Sequence, residues 1–245
     1  NDWTPLTDDH SNLNIRGVAI SPHNANEYYI GTTGGLYKST NQGATWNSVI
    51  SSGTVIKILP HPSDASIILV AGGSGIYRST NGGTSFTQVK TGNYKDLVYK
   101  PNDPNTVYAC DGSGFLKSTN NGQTWSTVST TGSGTGRIAV TPANPNVVYY
   151  TKASGSNFGY LFKSTNSGSS FTTQGSHTED YYSGYSWYGI DLAVSDTDEN
   201  LVYMGGMELY RSTNGGVNFT LHARWSYGNN KIKYIHADIH CLEWV

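Results

Sequence analysis

The sequence predicts an all-β fold built from a repeated four-stranded unit, and three observations support this prediction. Glycine is abundant, with 29 residues, and tyrosine contributes 18 residues, whereas only 13% of the residues are charged. Short strands joined by tight turns use glycine for positive φ angles and wide rings to fill the space between sheets. An eight-residue motif also recurs, with starts 40, 39, 46 and 48 residues apart. A period of this length with only β signals indicates a β-propeller.

We call this eight-residue motif the box. A short strand ending in Lys or Arg precedes each copy, and each copy ends in Trp or Phe. The hydroxyl groups and the Asn amide of the box are expected to bond backbone groups within the turn, and its glycine permits a left-handed conformation. The box is therefore a device for folding a hairpin. Its five copies are residues 39–46, 79–86, 118–125, 164–171 and 212–219.

The rest of each repeat completes a propeller blade. An apolar strand leads through a polar loop, often with proline, to a second strand, and a glycine-rich turn leads to the third strand and the box. Four strands per repeat make one blade. The predicted boundaries are an outer strand of a preceding blade at 1–13, five full blades at 14–50, 51–91, 92–131, 132–175 and 176–224, and the start of a sixth blade at 225–245.

The boxes resemble the Asp-box (bacterial neuraminidase) repeat family, and the resemblance covers nearly the whole chain. It implies a β-propeller whose boxes close the hairpins between the third and fourth strands. Every copy here has Asn where the family typically has Asp, as at Asn41. An amide oxygen still accepts the N–H groups of the turn, whereas the lost charge argues against cation binding at the boxes.

Both ends of the sequence are expected to belong to incomplete blades. Residues 3–6 resemble an outer strand that follows a box, and residues 234–245 resemble the inner strand of a sixth blade. We therefore expect the chain to be a piece of a propeller of seven or more blades, with the rest of that propeller as its partner in cis. Cys110 and Cys241 fall three repeats apart, so we expect two buried thiols rather than a disulfide.

The charge and hydropathy patterns exclude several classes of partner. The net charge is −2 and no basic tract occurs, so the sequence lacks the Lys and Arg surface that phosphate backbones require. No apolar run approaches the length of a membrane span. We therefore predict no nucleic-acid partner and no membrane insertion. Separately, the sequence indicates no cofactor.

The path of the chain through a blade predicts which loops bind a ligand. The boxes and the proline-containing loops share one face of the propeller, and the other turns share the opposite face. Insertions rich in aromatic residues fall on that second face, in blades four to six, and such insertions can give a repeat scaffold a binding surface. The alternative is that these rings pack the loops onto the blades. The predicted ligand-binding residues are Tyr181, Tyr182, Tyr185, Trp187, Tyr188, Trp225 and Tyr227.

Histidines and carboxylates suggest further sites. His236, Asp238 and His240 alternate along a predicted strand, and two imidazoles with one carboxylate suit Zn or Fe. Structural hydrogen bonding is the alternative for these three residues. We take Asp191 and Asp238 as the candidate catalytic carboxylates. Aligned inner strands also form a column for which we predict ion pairs between blades: Gly17, Lys57, Asp96, Arg137 and Asp191.

Two enzymatic functions are the alternatives for a propeller of this kind. A sialidase needs three arginines around the substrate carboxylate, but Arg16 lies in Asn-Ile-Arg-Gly, which does not match the active-site motif of that family. A glycoside hydrolase resembling the xyloglucan-cleaving propellers would use a pair of carboxylates. The candidates for that pair are Asp191, Asp238, Glu179 and Asp180.

The favoured function is non-catalytic. Residues 187–194 and 236–242 resemble the propellers of large secreted Bacteroidota proteins that the type IX secretion system exports. This resemblance implies a location outside the cell or at its surface. We therefore predict a module for adhesion that binds a glycan or a protein through the long aromatic loops of blades four to six, with the xyloglucanase-like glycoside hydrolase as the alternative.

Overall fold

The computed structural model describes residues 5–7, 13–111, 114–128, 134–226, 233–237 and 239–244. Within these ranges all regular elements are β-strands, arranged in five sheets. Four sheets have four strands in sequence order, and the fifth has one additional strand. This arrangement of consecutive antiparallel strands confirms the predicted fold class of β-propeller blades. No helix that could span a bilayer occurs in the part of the chain that the structure describes.

The strands of the first three blades follow one pattern. Blade 1 consists of β1 (Ile15–Ile20), β2 (Tyr28–Thr32), β3 (Gly35–Ser39) and β4 (Asn47–Ile50). Blade 2 consists of β5 (Val55–Pro60), β6 (Ile68–Gly72), β7 (Gly75–Ser79) and β8 (Thr87–Thr91). Blade 3 consists of β9 (Tyr94–Lys100), β10 (Asp103–Asp111), β11 (Phe115–Ser118) and β12 (Ser126–Val128).

The last two blades carry the insertions. Blade 4 consists of β13 (Gly136–Val140), β14 (Val148–Ser154), β15 (Asn157–Ser164) and β16 (Thr172–Thr173). Blade 5 consists of β17 (Asp191–Val194), β18 (Val202–Gly205), β19 (Leu209–Ser212), β20 (Thr220–Arg224) and β21 (Lys233–Tyr234). The added strand β21 pairs with β20 in parallel, whereas the other recorded strand pairs are antiparallel.

The chain divides into two compact units. The first unit comprises Asn1–Leu97, Pro104–Val107 and Ser118–Trp125, and the second comprises Val98–Asp103, Tyr108–Lys117 and Ser126–Val245. Each unit buries apolar side chains between successive sheets, because successive side chains of a strand point to opposite faces of its sheet. The core of the first unit includes Tyr29, Leu36, Val55, Ile58, Ile68 and Val70. The main core of the second unit includes Tyr149, Leu161, Tyr182, Ile190, Leu192 and Met204.

Each box folds through the same hydrogen bonds. In the first copy, the Ser39 hydroxyl accepts the backbone N–H groups of Asn41 and Gly43 at 3.3 and 2.8 Å. The Asn41 amide oxygen accepts the N–H of Thr45 at 2.9 Å, as the sequence predicts for the amide of the box. The box glycines have φ between 70° and 88°, as the left-handed turn requires. The box serines are buried in all five copies: Ser39, Ser79, Ser118, Ser164 and Ser212.

The column of aligned inner-strand residues is partly paired as predicted. Lys57 Nζ lies 3.6 Å from Asp96 Oδ1, which confirms an ion pair between the first strands of neighbouring blades. Arg137 donates from Nη1 to the carbonyl oxygen of its neighbour Gly136 at 3.0 Å. Within the described residues, the ion pair shown for this column is therefore that between Lys57 and Asp96.

The structure describes only residues 5–7 and 13 of the expected outer strand at 1–13, so that strand stays a prediction, and it describes both cysteines. No strand is assigned to residues 5–7, and Leu6 instead packs against the first box, where its carbonyl oxygen accepts the Trp46 indole N–H at 2.9 Å. Trp3 and Thr4 lie outside the described residues. Cys110 is buried as predicted, but Cys241 is exposed, so the prediction of a buried thiol is wrong there.

Candidate functional site

The turn between the second and third strands of blade 4 is a long β-hairpin. Strands β14 and β15 pair from Val148 and Ser164 to Ser154 and Asn157, where Gly155 takes a φ of 60° in the turn. In blade 1 the corresponding hairpin already closes at Thr32 and Gly35. The hairpin of blade 4 therefore extends farther from its box. The chain segment that follows the blade makes hydrogen bonds to this hairpin.

That segment, residues 174–190, connects β16 to β17, and we call it the inserted loop. The carboxylate of Asp180 ties it to the hairpin. Asp180 Oδ1 accepts the backbone N–H groups of Phe158 and Tyr182 at 2.7 and 3.2 Å, and Oδ2 accepts that of Gly184 at 2.8 Å. Charge-assisted hydrogen bonds of this kind are stronger than neutral ones. This use of both oxygens gives Asp180 a structural role, and its place among the candidates for a catalytic pair stays a prediction.

A second contact holds the other half of the inserted loop. Ser186 is buried, donates its backbone N–H to the carbonyl oxygen of Ser156 at 2.9 Å, and donates its hydroxyl to that of Gly155 at 3.1 Å. Consecutive turns also bond Tyr185 N–H to Tyr182 and Tyr188 N–H to Tyr185, both at 2.9 Å. The inserted loop is therefore internally bonded as well as bonded to the hairpin.

Two of the predicted ligand-binding rings belong to the core. Tyr181 and Tyr182 are 5% and 0% exposed, so both rings pack the inserted loop onto the blades, as in the packing alternative. Tyr181 contacts the ring of Phe158 edge to face at 5.0 Å between centroids. The Tyr182 hydroxyl shares a hydrogen bond with Thr151, and burial raises the pKa of this phenol above its usual value. These rings anchor the loop beneath the surface.

The next rings of the inserted loop face solvent. Tyr185, Trp187 and Tyr188 are 45%, 68% and 53% exposed. The distance between ring centroids is 6.4 Å from Tyr185 to Trp187 and 5.5 Å from Trp187 to Tyr188. His240 contacts Tyr188 edge to face at 4.9 Å. We call Tyr185, Trp187 and Tyr188 the aromatic platform, and it is the largest cluster of exposed rings among the predicted ligand-binding residues that the structure describes.

Asp191 lies at the start of β17, and each of its two carboxylate oxygens accepts a backbone N–H group. Its Oδ1 accepts the N–H of Leu192 at 2.9 Å, and its Oδ2 accepts the N–H of Leu242 at 2.6 Å. The carboxylate therefore holds the C-terminal segment against blade 5. Glu179 is exposed in the inserted loop. Asp238, the other candidate catalytic carboxylate, lies outside the described residues.

The predicted metal ligands do not converge in the described part of the chain. His236 Nδ1 lies 2.8 Å from the carbonyl oxygen of Ala237, whereas the ring of His240 packs on Tyr188. No group of three His, Cys, Asp or Glu side chains in the described residues is arranged to hold a metal ion. The third predicted ligand, Asp238, lies outside those residues. No strand is assigned in the described part of 235–244, so the alternation on which the prediction depended is not established.

The connection after blade 5 is described only in part. Trp225 is 47% exposed, and Tyr227 lies outside the described residues. The guanidinium of Arg224 pairs with Glu208 at 3.2 Å, and the other oxygen of Glu208 accepts the Tyr210 hydroxyl at 3.0 Å. These contacts hold the end of β20 close to β19, but they do not place Trp225 on the aromatic platform.

Sequence reasoning missed two contributors to this site. Asp180 is a candidate for catalysis in the sequence, although an acidic residue four positions before Gly184, which takes a positive φ, is a signal for a side-chain-bonded turn. His240 is a candidate metal ligand in the sequence, and its contact with Tyr188 across 52 positions of sequence has no local signal.

Comparisons with known proteins support the fold. No protein-family model matches the sequence, and no curated protein matches it. Among solved structures, an ancestral GH74 enzyme matches with a TM-score of 0.69 and 22% identity over 88% of this chain and 33% of its own. The GH74 xyloglucanase from Xanthomonas campestris matches with 0.66 and 16% identity over 90% of this chain and 40% of its own. YCF48 from Cyanidioschyzon merolae matches with 0.55 and 15% identity over 95% and 90%.

The fold and the site together define a β-propeller that carries an aromatic platform on an inserted loop. In its fold the chain is similar to GH74 glycoside hydrolases and to YCF48. At these identities the likeness shows the fold alone. The chain spans between a third and two fifths of the length of the GH74 enzymes that it matches.

Proposed function

We propose that this chain is part of a propeller of the glycoside hydrolase type and that the aromatic platform binds a polysaccharide. The observation that carries this proposal is the cluster of three adjacent exposed rings, Tyr185, Trp187 and Tyr188, on one loop. Contiguous apolar patches that a protein leaves exposed mark sites of interaction. The fold similarity to GH74 enzymes supports a glycan as that partner.

Sugar chemistry fits this surface. A pyranose ring has a face of C–H groups, and that face packs on the π face of an aromatic side chain, while Tyr hydroxyls and the indole N–H bond the sugar hydroxyls. Rings on successive positions can contact successive sugar units of a polymer. One solved neighbour is a xyloglucanase, so we propose a xyloglucan-class polysaccharide as the ligand.

The support beneath the platform favours tight binding. Asp180 and Ser186 hold the inserted loop to the hairpin on either side of Tyr185. A loop that is already ordered loses less conformational entropy when it binds a ligand. The inserted loop therefore holds the aromatic platform in place before a ligand binds.

Affinity electrophoresis in gels containing xyloglucan, a mixed-linkage glucan or a mannan tests the proposal. We expect xyloglucan to retard the wild-type chain, and Trp187→Ala to weaken binding by about tenfold, as expected for an aromatic residue at the centre of an interface. Trp244→Ala is the matched control, since it removes an exposed indole that is neither in the platform nor among the predicted ligand-binding residues. Equal retardation of wild type and Trp187→Ala would sink the proposal.

A non-catalytic binding module is the second candidate. Both oxygens of Asp191 accept backbone N–H groups, which supports a structural role for a carboxylate that the hydrolase would need as a reactant. Assays of xyloglucan hydrolysis with Asp191→Asn and Asp238→Asn separate the candidates. Turnover that either change abolishes supports the hydrolase, and retained binding without turnover supports the module. Because a polysaccharide does not cross membranes, we propose an extracellular or cell-surface location for either function.

A further inference from the structure

A basic side chain links each of the first four blades to the blade that follows. It is the residue just before the box, and its nitrogen bonds an oxygen in or beside the next box. In the first unit Lys38 Nζ donates to the carbonyl oxygen of Gly82 at 2.6 Å, and Arg78 Nε donates to that of Asn121 at 2.8 Å. In the second unit Lys117 Nζ donates to Ser169 at 3.0 Å, and Lys163 Nζ bonds Asn200 at 3.3 Å. We call these residues the latch cations.

A large side chain accompanies each latch cation. Tyr29 pairs with Lys38 across strands β2 and β3, and its ring packs on the next box, where a methyl group at Gly83 would lie 3.1 Å from Tyr29 Cε1. Leu69 does the same beside Arg78, with its Cδ2 2.7 Å from the position of a methyl group at Gly122. Glycine is therefore required in the box for two reasons. It adopts the left-handed conformation of the turn, and its lack of a Cβ leaves room for a side chain of the preceding blade.

Arg211 is the fifth residue of this series. It pairs with Tyr203 across β18 and β19, as Lys38 pairs with Tyr29. The Arg211 Nε is buried and has no hydrogen-bond partner within the described ranges. The equivalent Nε of Arg78 donates to a box carbonyl oxygen. A buried guanidinium N–H without an acceptor is costly, so a partner for Arg211 is expected.

The C-terminal segment lies where the first strand of another blade would lie. A methyl group at Gly205 would be 2.6 Å from Ile239 Cγ2, and at the equivalent Gly31 it would be 2.8 Å from Cγ1 of Val55, the first residue of β5. The N–H of Ile239 also donates to the carbonyl oxygen of Gly206 at 2.9 Å. Residues 239–244 therefore occupy the position beside blade 5 that β5 occupies beside blade 1.

We propose that Arg211, Tyr203 and residues 239–244 form the docking face for a sixth box-bearing blade that is part of the same polypeptide. Arg211 donates to the carbonyl oxygen of the residue before the box glycine of that blade, and Tyr203 packs on the glycine. The same polypeptide is the source because its own residues 239–244 already occupy the position of the first strand. A blade from a second copy would have to displace them.

A grafted blade tests this docking. The probe is the 245-residue chain followed by a copy of its own residues 195–224, which contain a box, and the reference carries the same thirty residues in scrambled order. We expect the graft to raise the Tm by a few degrees and to slow amide hydrogen exchange in residues 239–244. We expect Arg211→Met to remove most of that gain and to change the scrambled reference much less. Arg16→Met, at an exposed position of blade 1, is the control that keeps the gain.

Three outcomes overturn the proposal. The first is equal exchange in residues 239–244 of the graft and the scrambled reference. The second is a gain in Tm that Arg211→Met leaves intact. The third is a concentration-dependent dimer of the ungrafted chain that Arg211→Met dissociates, because this result assigns the face to a second copy.

Discussion

The carboxylate of Asp180 lies 2.7 Å from the backbone nitrogen of Phe158, so one side chain joins the inserted loop to the hairpin of blade 4. The same carboxylate also accepts the N–H groups of Tyr182 and Gly184. Tyr182 lies in the core, and Tyr185 follows one residue after Gly184 at the surface. Asp180 therefore connects the part of the loop that is buried to the part that carries the aromatic platform.

Replacing Asp180 should release the inserted loop. Asp180→Ala leaves three backbone N–H groups without their acceptor, and we expect the free energy of unfolding to fall by about 1–3 kcal/mol. Hydrogen exchange should become faster at Phe158 and Gly184, and urea denaturation gives the change in stability. Glu179→Gln, one residue earlier and exposed, is the matched control and should leave both measurements unchanged. Unchanged exchange in Asp180→Ala would show that the turns alone hold the loop.

Removing a box serine should destabilise its blade. The buried Ser164 hydroxyl accepts the N–H groups of Asn166 and Gly168 at 3.2 and 2.9 Å and donates to the Asn166 side chain. We expect Ser164→Ala to lower the free energy of unfolding by about 1–3 kcal/mol, since those N–H groups lose a buried acceptor. Thr165→Ala, which removes the exposed neighbouring hydroxyl, should cost much less. Equal losses in urea denaturation of the two variants would contradict the role assigned to the box.

His177 should make stability depend on pH. Its Nδ1 shares a hydrogen bond with the Tyr181 hydroxyl, and burial holds the pKa of the imidazole below its usual 6.5. The unfolded chain therefore binds the proton more readily than the folded chain. The stability that depends on neutral His177 is present above pH 6.5 and is lost as the pH falls towards the lowered pKa of the folded state.

Urea denaturation at about pH 7, 6 and 5 measures this loss. We expect a smaller dependence on pH in His177→Gln than in the wild type. Burial is also the main cause of the lowered pKa of His222. The His222→Gln variant should therefore also show a smaller dependence of stability on pH, while the contribution of His177 remains. A His177→Gln variant with the full wild-type dependence would show that other groups cause it.

The fold could be predicted because it repeats. The box serine, asparagine and glycine sit at fixed offsets in five copies, and their hydrogen bonds are local, within four residues. The same repetition placed Lys or Arg before every box, but its bond reaches into the next blade. The separation between Lys38 and Gly82 is 44 residues, and no pattern within one repeat indicates such a contact.

The site was predicted less well because burial in the inserted loop depends on distant contacts. Tyr182 and Tyr185 are close in sequence and equally aromatic, yet the first is buried and the second is 45% exposed. The difference arises because the hydroxyl of Tyr182 reaches Thr151 on β14, while Asp180 turns the following residues outwards. Such contacts join segments of chain that the sequence pattern does not relate.

The most direct test of the central claim follows the indole N–H signals of the six tryptophans by NMR during titration with a xyloglucan oligosaccharide. The indoles of Trp46 and Trp125 donate to the carbonyl oxygens of Leu6 and Gly122, so they serve as internal references. If the aromatic platform binds the sugar, the Trp187 signal shifts and saturates while those two stay in place. Saturable shifts at other tryptophans with an unmoved Trp187 signal would contradict the account.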